Sequence, residues 1–252
     1  MQEDKIVQLG VSGNILELGC YNGYLEIELA EKGGNYAVGV DLNRFNLGSA
    51  AKTKNLLDPR FLTCTSIDAR KNLRVKPRVD FVCSDARFLP FKDKVFDLVI
   101  CSQLLEHVQN VEEILLEAKR VLKVGLKLFV SVPNRFCFEE THNAPPFLHW
   151  LPYKFWLKRV YPHVWKTKDD KRRPTWFVHR FYTRFLLRNQ LMSSGFNIDS
   201  LQEAQYLPSK LYALTNRKGI RKTLLIINET LEKVPFLKHL GSAIIAIASR
   251  IE

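Results

Sequence analysis

Five short stretches in the first half of the chain are apolar almost without interruption: NILELGC (14–20), YAVGVDL (36–42), VDFVCSD (79–85), FDLVICS (96–102) and LKLFVSVP (126–133). A strand with one face in water alternates apolar and polar residues, whereas a strand covered on both faces carries an unbroken run. These stretches therefore read as buried strands of a parallel sheet. Between them, GYLEIELAEKG and NVEEILLEAKRVLKVG repeat their apolar residues at helical spacing, and the second runs through basic residues to Gly125, a helix stop. Farther on, YTRFLLRNQLMSSGF reads as a helix with Thr183 as N-cap and Gly195 at its C-terminal end. NIDSLQEAQ and the closing SAIIAIASRI complete seven strands, with a further helix in KTLLIINETLEKV between those two. Strand and helix in regular alternation predict an α/β architecture with a doubly wound, mostly parallel sheet.

Two stretches break the alternation. Residues 53–78 form a longer and more basic link than such a sheet needs. From Phe136 the pattern stops, and PPFLHWLPYKFWLKRVYPHVW carries an amphipathic segment near 152–161 before the charged run KTKDDKRR. The expected organisation is a core over 1–135, a helical, aromatic-rich cap over 136–180 inserted after the fifth strand, and the rest of the core over 181–252 with a helical insertion near 207–238.

Charge follows the same division. Residues 1–134 hold 18 Lys/Arg against 17 Asp/Glu, a net of +1, and residues 135–252 hold 20 against 9, a net of +11. Half of the 28 aromatic residues, all four tryptophans among them, lie between Phe136 and Phe185, so the basic half is also the aromatic half. The five cysteines (20, 64, 83, 101 and 137) show no CxxC pair and no metal-ligand spacing. Cys20, Cys83 and Cys101 fall in or beside apolar runs and read as reduced core residues of a cytoplasmic protein. No signal peptide opens the sequence and no apolar run approaches the roughly 18 residues of a membrane span.

The candidate chemistry lies at the strand ends. Open parallel sheets bind ligands beyond the carboxyl ends of their strands, where strand order reverses. A dinucleotide loop there would read G-x-G-x-x-G. Starting from Gly19, its second and third glycines are replaced by Tyr21 and Tyr24, which disfavours a nicotinamide enzyme. An acid, one residue, Gly, three residues, Gly fits better: Glu17-Leu18-Gly19-Cys20-Tyr21-Asn22-Gly23. Asp41 at the end of the second strand reads as a turn residue or as an acceptor for both hydroxyls of a ribose. The third strand ends in CSDARFLPF, where Asp85 could accept from an exocyclic amine and Ala86 and Phe88 offer an apolar wall. The fourth ends in CSQLLEHVQN, with Ser102, Gln103, Glu106 and His107 at the same edge.

With ELGCYNG, VGVDLN, SDARFLPF, FDLVICSQLLEHV and LKVGLKLFVSVPN in this order over roughly residues 10 to 135, the chain resembles a class I S-adenosylmethionine-dependent methyltransferase. Within that class it resembles the large group that includes the ubiquinone-pathway enzymes. The resemblance implies a Rossmann-like fold and S-adenosyl-L-methionine as cofactor. It also implies that Gly19 and Gly23 pass close to the methionyl part and that Glu17 holds the loop and the amino group. By the same likeness Asp41 binds the ribose, Leu42 packs on the adenine, Asp85 and Ala86 contact the ring, and Ser102 and Gln103 lie beneath the methionyl portion. Tyr21, Asn22 and Ser84 complete the candidate contacts. Tyr21 departs from the pattern: its ring has to point away from the cofactor or form a pocket wall, as a lid over the methionine, and a positive φ there would be uncommon for a bulky residue.

His107 is the candidate general base, because an imidazole titrates near neutrality; the competing reading is a residue that caps the helix start or orients the loop. Some quinone-pathway relatives hold a divalent metal here, but Gln103 replaces the first carboxylate, so no metal is expected. His142, His149, His163 and His179 are further candidates that the sequence does not rank. A small-molecule or lipid-like acceptor and an O-methyl product are expected, with Trp150, Tyr153, Phe155, Trp156, Tyr161, Trp165 and Trp176 either roofing its pocket or forming the core of the cap. The competing readings are an RNA or protein methyltransferase using the basic half, and a non-catalytic protein that retains the fold. Arg217, Lys218, Arg221 and Lys222, beside an apolar helix face, either pack that face on the cap or rest peripherally on an anionic membrane. Oligomeric state is not legible.

Overall fold

The computed structural model describes residues 2–33, 35–43, 46, 78–137, 150, 178–204, 226, 227, 230, 231 and 240–252. In chain order these form α1 (Gln2–Gln8), β1 (Asn14–Leu18), α2 (Tyr24–Gly33), β2 (Tyr36–Asp41), β3 (Arg78–Cys83) and β4 (Phe96–Ser102). A single 3-10 turn over Leu105–His107 follows, then α3 (Val111–Val121), β5 (Leu122–Pro133), α4 (Arg184–Ser193), β6 (Phe196–Ala204) and β7 (Ala243–Arg250). The seven strands make one sheet, as expected, in the order β3-β2-β1-β4-β5-β7-β6. β1 pairs in parallel with both β2 and β4, so the strand order turns back between β1 and β4. β7 lies antiparallel to β5 and β6.

Burial explains why the runs are unbroken. Leu16, Leu18, Val99, Cys101, Leu128, Val130 and Val132 point to one face and pack on Ile114, Leu115 and Ala118 of α3 and Leu187 and Leu191 of α4. The alternate residues Ile15, Leu98, Ile100 and Phe129 point to the other face, against Ile6 of α1 and Leu29 of α2. With period-2 side chains sent alternately into two covered faces, most positions in the middle of these strands are apolar, with Glu17 and Ser131 as buried polar exceptions. At the edge the cover thins. β3 has one neighbour and mostly exposed or half-buried residues, and Cys83 is exposed rather than a core residue, whereas Cys20, Cys101 and Cys137 are buried.

Two boundaries differ from the sequence reading. The strands before the ligand edge stop earlier, at Leu18, Asp41 and Cys83, leaving Gly19, Leu42 and Ser84 to start the loops. The helix expected to run to Gly125 stops at Val121, because Leu122 pairs with Phe96 and Lys123 binds the Asp97 carboxylate at 2.7 Å. Three extra residues then bulge out of β5 before Lys127 pairs with Leu98, and Gly125 at φ +76 absorbs the bulge. Arg250 of β7 donates to the carbonyls of Lys119, Arg120 and Leu122, satisfying the helix end that the basic residues were expected to complement.

The α4 expectation holds in detail. Thr183 has extended backbone, its hydroxyl accepts from Leu186 N at 3.2 Å, and Gly195 at φ +79 donates to the Met192 carbonyl at 3.0 Å. Thr183→Ala removes an N-cap and is expected to lower stability by about 1 kcal/mol, read as a shift in the urea midpoint without change of slope. The bulk of the expected cap, the link over 53–77 and most of the expected insertion lie outside the described residues. No helix among the described residues is long and apolar enough to cross a membrane.

Candidate functional site

The carboxyl ends of β1 and β4 diverge at the point where strand order reverses, and a cavity of about 370 Å³ opens there. It is lined by Glu17, Gly19, Cys20, Tyr21, Asn22 and Ser102, with Ile6, Tyr24 and Leu25 closing the helical side. Its volume lies within the range of small-molecule sites, and it sits where open α/β sheets place them.

The loop leaving β1 is fixed by its own backbone. Gly19 N and Cys20 N both donate to Val40 O, at 2.7 and 3.1 Å, and Gly23 N closes on Cys20 O at 2.9 Å. Three residues of this turn have positive φ: Gly19 (+78), Tyr21 (+47) and Gly23 (+71). A Cβ on Gly19 would stand 3.0 Å from Leu104 Cδ1, so a side chain there would be both strained and crowded. Tyr21 adopts the left-handed conformation that the spacing raised as a question. Its N–H donates to Asp41 Oδ2 at 3.0 Å, and its ring is 63% exposed at the cavity mouth.

Asp41 thus ties two strand ends together. Its Oδ1 accepts from Asn43 N at 2.7 Å while its backbone carbonyl accepts from Ser84 N at 3.2 Å. Both carboxylate oxygens face loops at the edge, where a diol could share them. Leu42 beside it is 71% exposed, an apolar surface without cover on the ligand side.

The loop after β3 is anchored from behind. Glu117 accepts from Leu89 N at 2.9 Å, and Arg120 reaches the carbonyls of Leu89 and Phe91 at 3.0 and 2.8 Å while pairing with Asp93. These bonds hold SDARFLPF against α3. Ser84 Oγ donates to Phe88 O at 3.0 Å, and Ala86 packs on the core. Asp85 is engaged by Arg87, whose Nη2 lies 2.7 Å from Oδ2, and that hydrogen bond holds its carboxyl below the usual range. An adenine amine would have to share Asp85 with Arg87.

Ser102 reaches the cavity; Gln103 does not line it. Gln103 has φ +52, donates its N–H to Ser131 O at 2.8 Å and its side-chain amide to Ser131 Oγ at 3.0 Å, so it braces β4 on β5. Gly23, Asp41, Leu42, Ser84, Asp85, Ala86 and His107 also stand outside the cavity lining, on the loops around it. His107 ends the 3-10 turn, with Nε2 3.8 Å from Glu106 Oε1. His179 of the expected cap reaches the same turn through its N–H, which donates to Glu106 O at 2.6 Å, and burial lowers its imidazole pKa. His142, His149 and His163 lie outside the described residues, as do the listed aromatics other than Trp150, whose Nε1 donates to Cys137 O at 3.0 Å.

Glu26 was not singled out in the sequence, and Glu106 was placed at the ligand edge without its burial being foreseen. Glu26, in the first turn of α2, is buried beside Glu17, and burial pushes its carboxyl above the usual carboxylate range. Glycine at 39 is required, since a Cβ there would stand 2.6 Å from Glu26 Oε1 and 2.8 Å from Cys20 Sγ. Glu106 is fully buried, neither oxygen has a hydrogen-bond partner among the described residues, and burial pushes its pKa up to about 8. An acid in a first helical turn reads as a favourable partner of the helix dipole, and one before a His reads as a polar strand end, so neither pattern signals burial.

A family model described as a methyltransferase domain matches residues 4–201. A ubiquinone biosynthesis O-methyltransferase of Coxiella burnetii is 28% identical over 124 residues, 48% of this chain and 44% of that protein. A probable S-adenosylmethionine-dependent methyltransferase of Mycolicibacterium smegmatis is 30% identical over 132 residues, 52% of this chain and 42% of that one. The chain spans less than half the length of these curated relatives. Among solved structures, a SAM-dependent methyltransferase from Methanosarcina mazei superimposes with a TM-score of 0.59 at 18% identity, covering 98% of this chain and 97% of that one. By its family match and its sheet, the chain belongs to the methyltransferase-domain family and has the Rossmann-like fold of the class I S-adenosylmethionine-dependent enzymes.

Proposed function

We propose that this protein uses S-adenosyl-L-methionine to methylate a small-molecule or lipid-like acceptor at oxygen. The observation that carries the reading is the cavity between the ends of β1 and β4, closed by the glycine turn and bordered by the Asp41 carboxylate. The residues present suit the cofactor. A carboxylate at the second strand end serves a ribose diol, Glu17 serves an amino group, and the positive-φ turn lets backbone approach the methionyl chain. Tyr21, Asn22 and Ser102 line the same space, Gly23 closes the turn, and Leu42, Ser84, Asp85 and Ala86 border the adenine side. Gln103 acts here through Ser131, as a brace.

When bound, the cofactor supplies an activated methyl on a sulfonium, transferable by in-line displacement. The chain's own work is then to orient the acceptor, exclude water and accept the acceptor's proton. His107 is assigned the last role, standing just past the end of β4 with Glu106 at its side. The relative named as a ubiquinone biosynthesis O-methyltransferase supports oxygen as the methylated atom, and the aromatic segment over 136–177 supports an apolar acceptor. Incubation with labelled cofactor and a panel of quinols, phenols and glycolipids is expected to label at least one apolar acceptor at oxygen. Label carried only by RNA or protein, or by none of the panel, would overturn this reading of the acceptor.

A further inference from the structure

The turn that replaces a glycine with Tyr21 places two tyrosines on one cavity. Tyr21 and Tyr24 both line it, and both remain largely exposed, at 63% and 49%. Among the described residues neither ring stacks on another aromatic or lies under a cation, in contrast to Tyr36 and Phe88, which carry Arg78 and Arg87. Tyr21 holds its place at φ +47, a conformation a bulky residue rarely adopts, and its N–H is fixed on Asp41. A bulky residue kept at such a position, where glycine would be relaxed, points to a use for its ring.

The cavity is also negative. Glu17 lines it, Asp41 borders it, and the Glu26 carboxyl lies behind Cys20. After burial, these three carboxylates are what raises the Cys20 thiol pKa. The positive end of the α2 dipole acts in the opposite sense, favouring an anion such as a carboxylate. The space is thus acidic and aromatic beside a helix N-terminus.

We infer that Tyr21 and Tyr24 make this pocket prefer the methyl-bearing, positively charged cofactor over the demethylated product. The inference rests on the assignment of the cavity to S-adenosylmethionine. Methyl transfer changes the cofactor at one atom: a sulfonium carrying one positive charge becomes a neutral thioether, and the adenosine, carboxylate and ammonium are unaltered. Contacts with those common parts cannot distinguish the two. An aromatic face attracts a cation and is indifferent to a thioether's charge, and nearby carboxylates add to the preference. The consequence is easier release of product and weaker product inhibition.

Titration calorimetry with S-adenosylmethionine and S-adenosylhomocysteine tests this on the full chain, with folding of each variant checked by its thermal transition. Tyr21→Asn removes the ring with a residue that tolerates positive φ, Tyr21→Gly does so without strain, and Tyr24→Leu keeps the helix. Each is expected to lower the ratio Kd(homocysteine form)/Kd(methionine form) on the order of 3- to 10-fold, chiefly by weakening the methionine form. Tyr21→Phe and Tyr24→Phe should keep the ratio of the parent. An unchanged ratio in the Tyr21→Gly, Tyr24→Leu double variant, with both compounds still bound, overturns the inference alone. If the parent binds neither compound, the assignment of the cavity falls and the inference falls with it.

Discussion

Asp41→Ala is expected to weaken S-adenosylmethionine binding by about 1.5–3 kcal/mol, roughly 10- to 150-fold, the scale for losing hydrogen bonds to a charged group. Two effects add. The substitution removes the acceptor for a ribose diol, and it frees the Tyr21 N–H and the Asn43 N–H that Asp41 now holds at 3.0 and 2.7 Å. The second effect loosens a turn that already carries a bulky residue at positive φ, so part of the loss is preorganisation. Asp41→Asn separates the two: it keeps an acceptor for the turn but loses the charge, and it should fall between parent and Asp41→Ala. Calorimetry reads both. Parent-like affinity in Asp41→Ala would remove the ribose from this strand end.

The second large effect is on stability against pH and comes from Glu106. Its carboxyl is buried with no hydrogen-bond partner on either oxygen among the described residues, and its pKa is raised from an ordinary 4.5 to about 8. The native state therefore keeps a proton that the unfolded chain releases above its ordinary value. Stability from this group is fully present below pH 4.5, falls as pH rises toward about 8, and changes no further above that. The separation sets a ceiling on the order of 5 kcal/mol. Facing groups modify it: His107 Nε2 at 3.8 Å would favour the carboxylate when protonated, and Tyr182 lies close enough to feel its charge. Glu26 titrates in the same sense. Glu106→Gln keeps the shape without the proton, so its thermal midpoint should fall less between pH 5 and pH 8.5 than that of the parent, and exceed the parent's at pH 8.5. Parallel midpoint curves for the two would show that Glu106 is not held neutral.

The strands were legible because both of their faces are covered, which leaves Leu98 to Cys101 wholly apolar and Glu17 the one charged residue between Ile15 and Leu18. The same logic fails at an edge, where Cys83 reads as core and is exposed. Gly125 looked like a helix stop because local signals at a helix end resemble those of a bulge; pairing of Leu122 with Phe96 decides between them, and that pairing is long-range. The spacing raised the positive φ at Tyr21 only as a question, and the backbone of the turn settles it at +47. Glu26 and Glu106 were not legible, because what defines them is burial. No pattern along the chain marks a carboxyl that tertiary packing will enclose. Gln103 shows a milder case: the strand end was located correctly, but its amide turns to Ser131 and away from the cavity.

Hydrogen–deuterium exchange of the full chain with and without S-adenosylhomocysteine tests the central claim most directly, because it reports where the cofactor sits without requiring an acceptor. Protection is expected in the turn over residues 19–24 and at the strand ends around Asp41–Asn43, Ser84–Phe88 and Ser102–Leu104, with the far ends of the same strands unchanged. Binding with protection confined to other segments, and none in the glycine turn or at Asp41, would contradict a cofactor site at the β1/β4 switch point.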